Sequence, residues 1–489
     1  MRRVAATLGL LLMTSIASAA EPLATGVQSR RFVSAIDQTV QPYNLYVPTT
    51  YKPGTPMPLV VALHGKGATW QSWFAALPVE EWAEREGFIL ATPEGRGSWF
   101  YLGPGEKDVF EVMAEVKSVC TIDEDRTYLM GHSMGGFGTW HLAASHPDVF
   151  AAIVPMATWA PVKMLPSLRH TPVMLVHGDA DLVVPIEWGR RAQHQLEALG
   201  IEHRWLVAPG IGHESELITG YLRPAADFLR TKRRVKDPQT VSVRAYTPRR
   251  GKAWWVSLQE VEQFTELASI DASITPRRLE VVTTNVVDLA LDPPLSAERL
   301  ALPIRLSIDN QLVDVPATNG GRIIFLRKVD GQWGARLADR GTFGAPSAKP
   351  MGERPADAPS LVETVARIVA KRVEADSMLV PNDLIAPSIP AGKVDEDQLL
   401  DIFMRPEDEI RIVELSAEKA AELLGDKDWY PAWWGALTLA PKPSSDAVVL
   451  AVPKILADRM PVTTVGTGLS VRRVVVDHVR ETGRLMPPE

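Results

Sequence analysis

Cysteine is almost absent: Cys120 is the one thiol in 489 residues. Intramolecular disulfides and a cysteine-rich zinc site are excluded, so the fold must rest on buried apolar cores. A basic excess is lacking too. Lys and Arg number 52 against 59 Asp and Glu, a net charge of −7, whereas a nucleic-acid surface needs a basic patch to offset phosphate. Hydrophobic residues at 46% and charged residues at 23% argue against long disorder. After the first twenty residues no long apolar run occurs, and a membrane-spanning helix needs about 20 such residues. At about 100–200 residues per domain, the length allows two to four domains.

What the chain does have begins with an address. Met1-Arg2-Arg3 is a positive n-region, Val4 to Ala17 is mostly apolar and small, and Ser18-Ala19-Ala20 precedes Glu21-Pro22. Residues 1–20 read as a secretory signal peptide, with a single-pass anchor as the alternative. The protein is expected to be exported, to the periplasm or beyond; the lack of disulfides suits a bacterial periplasm.

Three regions follow. Residues 21–235 alternate short apolar runs with helical stretches, the pattern of a mostly parallel sheet with helices on both faces. Leu59–Leu63, Gly87–Ala91, Thr127–Met130, Ala151–Pro155, Pro172–Val176 and Arg204–Val207 read as strands, and Val79–Glu86 and Lys107–Val119 as helices. Lys232–Asp237 is charged, runs into Pro238, and reads as a linker. Residues 240–345 change to short β-rich runs without long helices, which predicts a small antiparallel sandwich. Gly341–Pro359, rich in Gly, Pro and Ala, reads as a second linker. Residues 355–489 read as α+β, with a helix over Leu361–Ala375.

Chemistry concentrates at Ser133. Gly131-His132-Ser133-Met134-Gly135 follows an apolar strand and precedes the helical stretch Phe137–Ser145. Glycines on both sides permit a sharp strand-to-helix turn that lifts a serine hydroxyl above the sheet edge at a helix N-terminus. A serine nucleophile needs a base, and the base an orienting carboxylate. Two later strands end in His177-Gly178-Asp179-Ala180-Asp181 and in Ala208-Pro209-Gly210-Ile211-Gly212-His213. Acid and base would thus lie at the carboxyl edge of one sheet, where such sheets bind ligands. Asp181 is favoured as the acid and Asp179 as a turn former. Nine of the ten histidines lie between His64 and His213. His203 precedes its strand and should face the opposite edge; His64, His132, His177, His141 and His146 read as braces, leaving His213 as the base. An oxyanion hole needs two backbone N–H groups: one from Met134, the other from His64-Gly65-Lys66-Gly67, through Lys66. Trp70, Trp73, Trp99 and Phe100 sit on loops near this edge, either as the wall of a pocket for an aromatic or acyl group or as packing.

These blocks, in this order and together with His146-Pro147-Asp148-Val149-Phe150, resemble α/β-hydrolase-fold carboxylesterases. The branch is that of secreted feruloyl esterases, acetylxylan esterases and poly(3-hydroxybutyrate) depolymerases, with related peptidases. The resemblance spans about 200 residues. It implies an α/β-hydrolase fold with Ser133 as nucleophile, His213 as base, Asp181 as its orienter, and the amides of Lys66 and Met134 as the oxyanion hole. Residues 253–286 are similar to a β-domain often appended to such esterases. Asn382-Asp383-Leu384-Ile385-Ala386 to Gly392, with Ile410–Leu424, resembles the C-terminal domain of 5′-nucleotidases. There the family's Arg is replaced by Ala386, its usual Pro-Phe by Arg405-Pro406, and no metal-binding phosphoesterase domain precedes it. That implies a reused scaffold with nucleotide binding lost, although Trp429, Tyr430, Trp433 and Trp434 could stack on a flat ligand or fill a core. The expectation is an exported serine hydrolase of small-molecule or polymer-linked carboxylic esters, needing no metal or organic cofactor. The alternatives are a peptidase with the same triad and an inactive cell-envelope binding protein.

Overall fold

In a computed structural model of the chain, the structure describes residues 23–275, 278–294, 304–315, 322–339, 350–356, 358–381, 392–395, 409–416, 418–419, 437–440, 447–453 and 464–487. The expected leader, residues 1–20, lies outside them. So do the stretch from Asn382 to Ala391, Arg405-Pro406 and the tryptophan group at 429–434.

Eight strands form the first sheet: β1 Gly26–Val33, β2 Val40–Val47, β3 Met57–Leu63, β4 Ile89–Pro93, β5 Ile122–His132, β6 Ala152–Met156, β7 Val173–Gly178 and β8 His203–Ala208. Their order is β1-β2-β4-β3-β5-β6-β7-β8. From β4 through β8 all neighbours are parallel, while β1 and β2 join antiparallel at one edge. Both faces are covered. Leu59, Val61 and Leu63 point into one core with helices α3 (Pro104–Val119), α4 (Met134–Ser145) and α5 (Glu187–Ala198). Val60 and Ala62 point into the other, with α2 (Val79–Glu86) and α6 (Ser215–Leu229). Burial on both sides explains why β3 reads as an unbroken apolar run rather than an alternation. A short helix, α1 (Ser72–Ala76), lies between β3 and α2. Cys120 is buried just past the end of α3.

The next strands form two five-stranded sheets sharing one apolar core. Their strands are antiparallel to their neighbours except for Arg278–Thr284 with Ile304–Ile308, which run parallel. Ala268–Ile274 alternates buried and half-buried along its whole length. Farther on, the helices Leu361–Arg372 and Val471–Thr482 pack with a five-stranded sheet, and Phe264 of the sandwich enters their core.

Lys232–Asp237 has no helix or strand and connects α6 to the strand Thr240–Ala245, but it is held down along its length. Arg233 pairs with Asp123 at 3.3 Å, and Arg234 and Lys236 pair with Asp125 at 3.1 and 2.7 Å. The Arg234 N–H also donates to the Asp125 carbonyl at 2.9 Å. Arg233, Arg234 and Lys236 thus fasten this segment to the first residues of β5. Within the second expected linker, Pro350–Arg354 forms a strand paired with Gly392–Asp395. Among the described residues, no helix is long and apolar enough to cross a membrane.

Candidate active site

β5 ends at His132 and α4 begins at Met134, leaving Ser133 alone in the turn with φ 57° and ψ −117°. A non-glycine residue there is strained and persists only where its surroundings force it. One constraint is visible at Gly135: a Cβ on it would lie 2.1 Å from the Leu63 carbonyl oxygen. Only glycine lets α4 start this close to the end of β3. The Ser133 N–H is tied to the Met156 carbonyl at 2.9 Å.

His213 reaches Ser133 from the loop after β8. Its Nε2 lies 2.8 Å from the Ser133 Oγ, and its Nδ1 2.7 Å from Asp181 Oδ2. With Nδ1–H donating to the carboxylate, Nε2 is left to accept the serine proton. The other oxygen of Asp181 accepts the N–H groups of Val183 and Val184, at 2.9 and 2.7 Å. Burial alone would raise the Asp181 carboxyl; the hydrogen bond and charge of His213, with the Val184 amide, outweigh it and hold the group below the ordinary carboxylate range. Ser133, Asp181 and His213 therefore meet as one hydrogen-bonded chain. Asp179 does not join them: its Oδ1 accepts the Gly210 N–H at 2.6 Å, bracing the loop that carries His213.

The remaining histidines divide by position. His203, at the start of β8, faces the Ile201 carbonyl. His141 and His146 donate to Glu106 at 3.1 and 2.7 Å. His177 donates to the Val184 carbonyl at 2.8 Å and lies 3.6 Å from Asp181. His132 packs its ring 4.7 Å from that of His213, and burial pushes its pKa down to about 3.

A cleft of about 560 Å³ opens beside Ser133 and is lined by Lys66, Trp73, Leu77, Val183 and Ile218 among others. Lys66 and its flanking glycines share this wall with Ser133, and Met134 is buried at the head of α4. Of the four aromatics expected on loops, Trp73 instead lies in α1 and lines the cleft, while Phe100 packs against Phe137 and Trp159. Val183 and Ile218 were not singled out in the sequence. Val183 follows Asp181 by two residues, a signal that was available; Ile218 sits on the apolar stripe of α6 and carried none. Among the described residues, no group of three or more His, Cys, Asp or Glu is placed to hold a metal ion.

Comparison with known proteins supplies relatives for this region. A family model described as PET hydrolase-like matches residues 110–194. Feruloyl esterase B of Thermothelomyces thermophilus is 34% identical over 120 residues, which is 22% of this chain and 40% of that one. Cutinase 2 of Thermobifida cellulosilytica is 36% identical over 92 residues, 19% of this chain and 34% of the relative. Acyl-protein thioesterase 1 of Gibberella zeae is 25% identical over 197 residues, 32% of this chain and 83% of the relative. The chain thus spans well under half the length of the first two relatives, and each of the three is an esterase, cutinase or thioesterase by name.

Proposed function

We propose that this chain is an exported serine hydrolase that cleaves carboxylic esters through an acyl-enzyme. Ser133 Oγ attacks the ester carbonyl while His213 Nε2 takes its proton. Asp181 holds the imidazole in the tautomer that leaves Nε2 free and stabilises the imidazolium that forms. The negative charge on the carbonyl oxygen is met by the N–H groups of Met134 and Lys66. His213 then returns the proton to the leaving alcohol, and water, activated by the same base, releases the acyl group. No step calls for a cofactor. The mostly apolar cleft suits an uncharged acyl or aromatic group of a small-molecule or polymer-linked ester.

The observation that carries this reading is the position of His213, 2.8 Å from Ser133 Oγ and 2.7 Å from Asp181. Export rests on the N-terminal signal pattern. A fluorophosphonate probe tests the chemistry directly: it should label wild-type protein on Ser133 and leave Ser133→Ala unlabelled. Absence of label on folded wild type would favour a binding protein on a hydrolase scaffold. Rates on p-nitrophenyl acetate and an aminoacyl anilide, measured side by side, separate esterase from peptidase; faster amide turnover would overturn the ester assignment.

A further inference from the structure

His64, the residue after β3, is buried, and both of its ring nitrogens face backbone carbonyl oxygens. Nδ1 lies 2.9 Å from the Gly65 oxygen, and Nε2 lies 2.9 Å from the Glu94 oxygen. A carbonyl has no proton to give. A neutral imidazole carries a single N–H, so one contact would set a ring lone pair against an oxygen lone pair in a water-poor site, an arrangement that costs a buried hydrogen bond. Two N–H groups satisfy both oxygens. The compensating charge is at hand: the Glu94 carboxylate Oε2 lies 3.8 Å from Nε2 and accepts the Trp70 N–H at 3.0 Å.

We propose that His64 is held as an imidazolium paired with Glu94 and serves as the positioning residue of the Gly65–Lys66 peptide. The Gly65 carbonyl and the Lys66 N–H belong to one planar unit, so fixing the first aims the second. A charged donor on the carbonyl also polarises the peptide and strengthens its N–H as a donor. The Ala68 N–H adds a second bond to the same oxygen at 3.2 Å. The neighbouring peptide is fixed from the other side, where the buried Tyr101 hydroxyl donates to the His64 carbonyl at 3.2 Å. Tyr101 and Phe100 hold φ of 57° and 55°, strain that the packing of this loop sustains.

The other titratable groups around His64 are accounted for. The Tyr101 ring meets it edge-on at 5.8 Å, and burial keeps that phenol protonated. His132, across Gly65, is kept neutral by burial. Lys66 is next in the chain, and Glu94 supplies the negative charge.

The kinetic half of this inference rests on the ester-hydrolase reading; the charge does not. Protein labelled with ¹⁵N in its imidazoles is recorded by NMR at about pH 7.5, where an ordinary histidine is mostly neutral, and the His64 signals are identified by their loss in His64→Gln. Two protonated ring nitrogens are expected, and one bare nitrogen overturns the proposal. In His64→Gln, kcat on p-nitrophenyl acetate should fall about 10- to 100-fold with KM within about twofold, the signature of a misaimed oxyanion donor. An unchanged kcat overturns the positioning role. Should that variant fail to fold, Glu94→Gln carries the test, since it keeps an oxygen for Trp70 and removes the charge. At the same pH, the ring of His64 should then show one bare nitrogen, and two protonated nitrogens in Glu94→Gln overturn the pairing. A doubly protonated His64 in a wild type that neither turns over esters nor takes the phosphonate would support the imidazolium and remove the esterase reading instead.

Discussion

At the scale of single residues, pH separates the side chains of the site. His132 is neutral when folded, with a pKa near 3, against 6.5 for an unperturbed histidine. Its contribution to stability is therefore complete above pH 6.5 and is lost as pH falls toward 3, because the unfolded chain takes up the proton first. His177 is shifted the same way, chiefly by burial. Between pH 6.5 and pH 4, His132 alone should cost roughly 3 kcal/mol. His132→Phe should flatten that part of the stability–pH curve, as measured by urea unfolding across the range. A curve as steep as wild type would count against the buried neutral ring. Asp181→Asn tests another side chain. It keeps the shape but favours the wrong tautomer of His213, and kcat on p-nitrophenyl acetate should fall by about 10⁴, with thermal stability as the control for folding.

At the scale of elements, the site depends on how closely loops approach strand ends. A Cβ on Gly178, the last residue of β7, would lie 2.1 Å from the Ile211 oxygen and 2.7 Å from the Gly212 oxygen. Gly178→Ala should push away the turn that ends at His213. Ester turnover is expected to drop more than tenfold while overpacking costs about 1–3 kcal/mol; kinetics and thermal melting on the same sample would show both. The parallel strands were legible because strands buried on both faces are written as apolar runs, and Val79–Glu86 was legible to the residue. The turn at Ser133 and the loops bearing Asp181 and His213 were legible because each follows such a run. The antiparallel pair β1 and β2 was not picked out. Gly26–Val33 alternates half-buried and exposed positions up to the buried Phe32 and carries Gln28, Arg30 and Arg31, the composition of an edge rather than a core strand. What the charged run at 232–236 did not reveal is its anchoring: charges solvate a linker and fasten one equally well, and the partners Asp123 and Asp125 are far away in sequence.

At the scale of the whole molecule, the sandwich finishes the core of the first region. Glu106 of α3 is buried, paired with the buried His141 and the half-buried His146, and Arg250 of the sandwich reaches it at 2.7 Å. Burial opposes ionisation of Glu106, and the charge of Arg250 with the two histidine hydrogen bonds overrides it, holding the carboxyl well below its usual range. Further ties run from Arg244 N–H to Ser167, Arg169 to Ser242, and Trp254 N–H to Asp148. A carboxylate so enclosed cannot lose its arginine cheaply. Arg250→Met should destabilise the protein by about 3–5 kcal/mol. Adding Glu106→Gln should restore part of the loss in denaturant titrations of the full chain; a double variant as unstable as the two losses summed would show that the pair is not coupled. No tie of this kind was legible, since Glu106 and Arg250 stand far apart in sequence and neither belongs to a motif.

The solitary thiol gives this architecture a built-in clock. Cys120 is 3% exposed, and burial lifts its pKa to about 11, so both shielding and protonation keep it from electrophiles while α3 stays docked. Ellman's reagent can then react only through molecules that have opened, and the colour it releases would time the breathing of the first region without any engineered label.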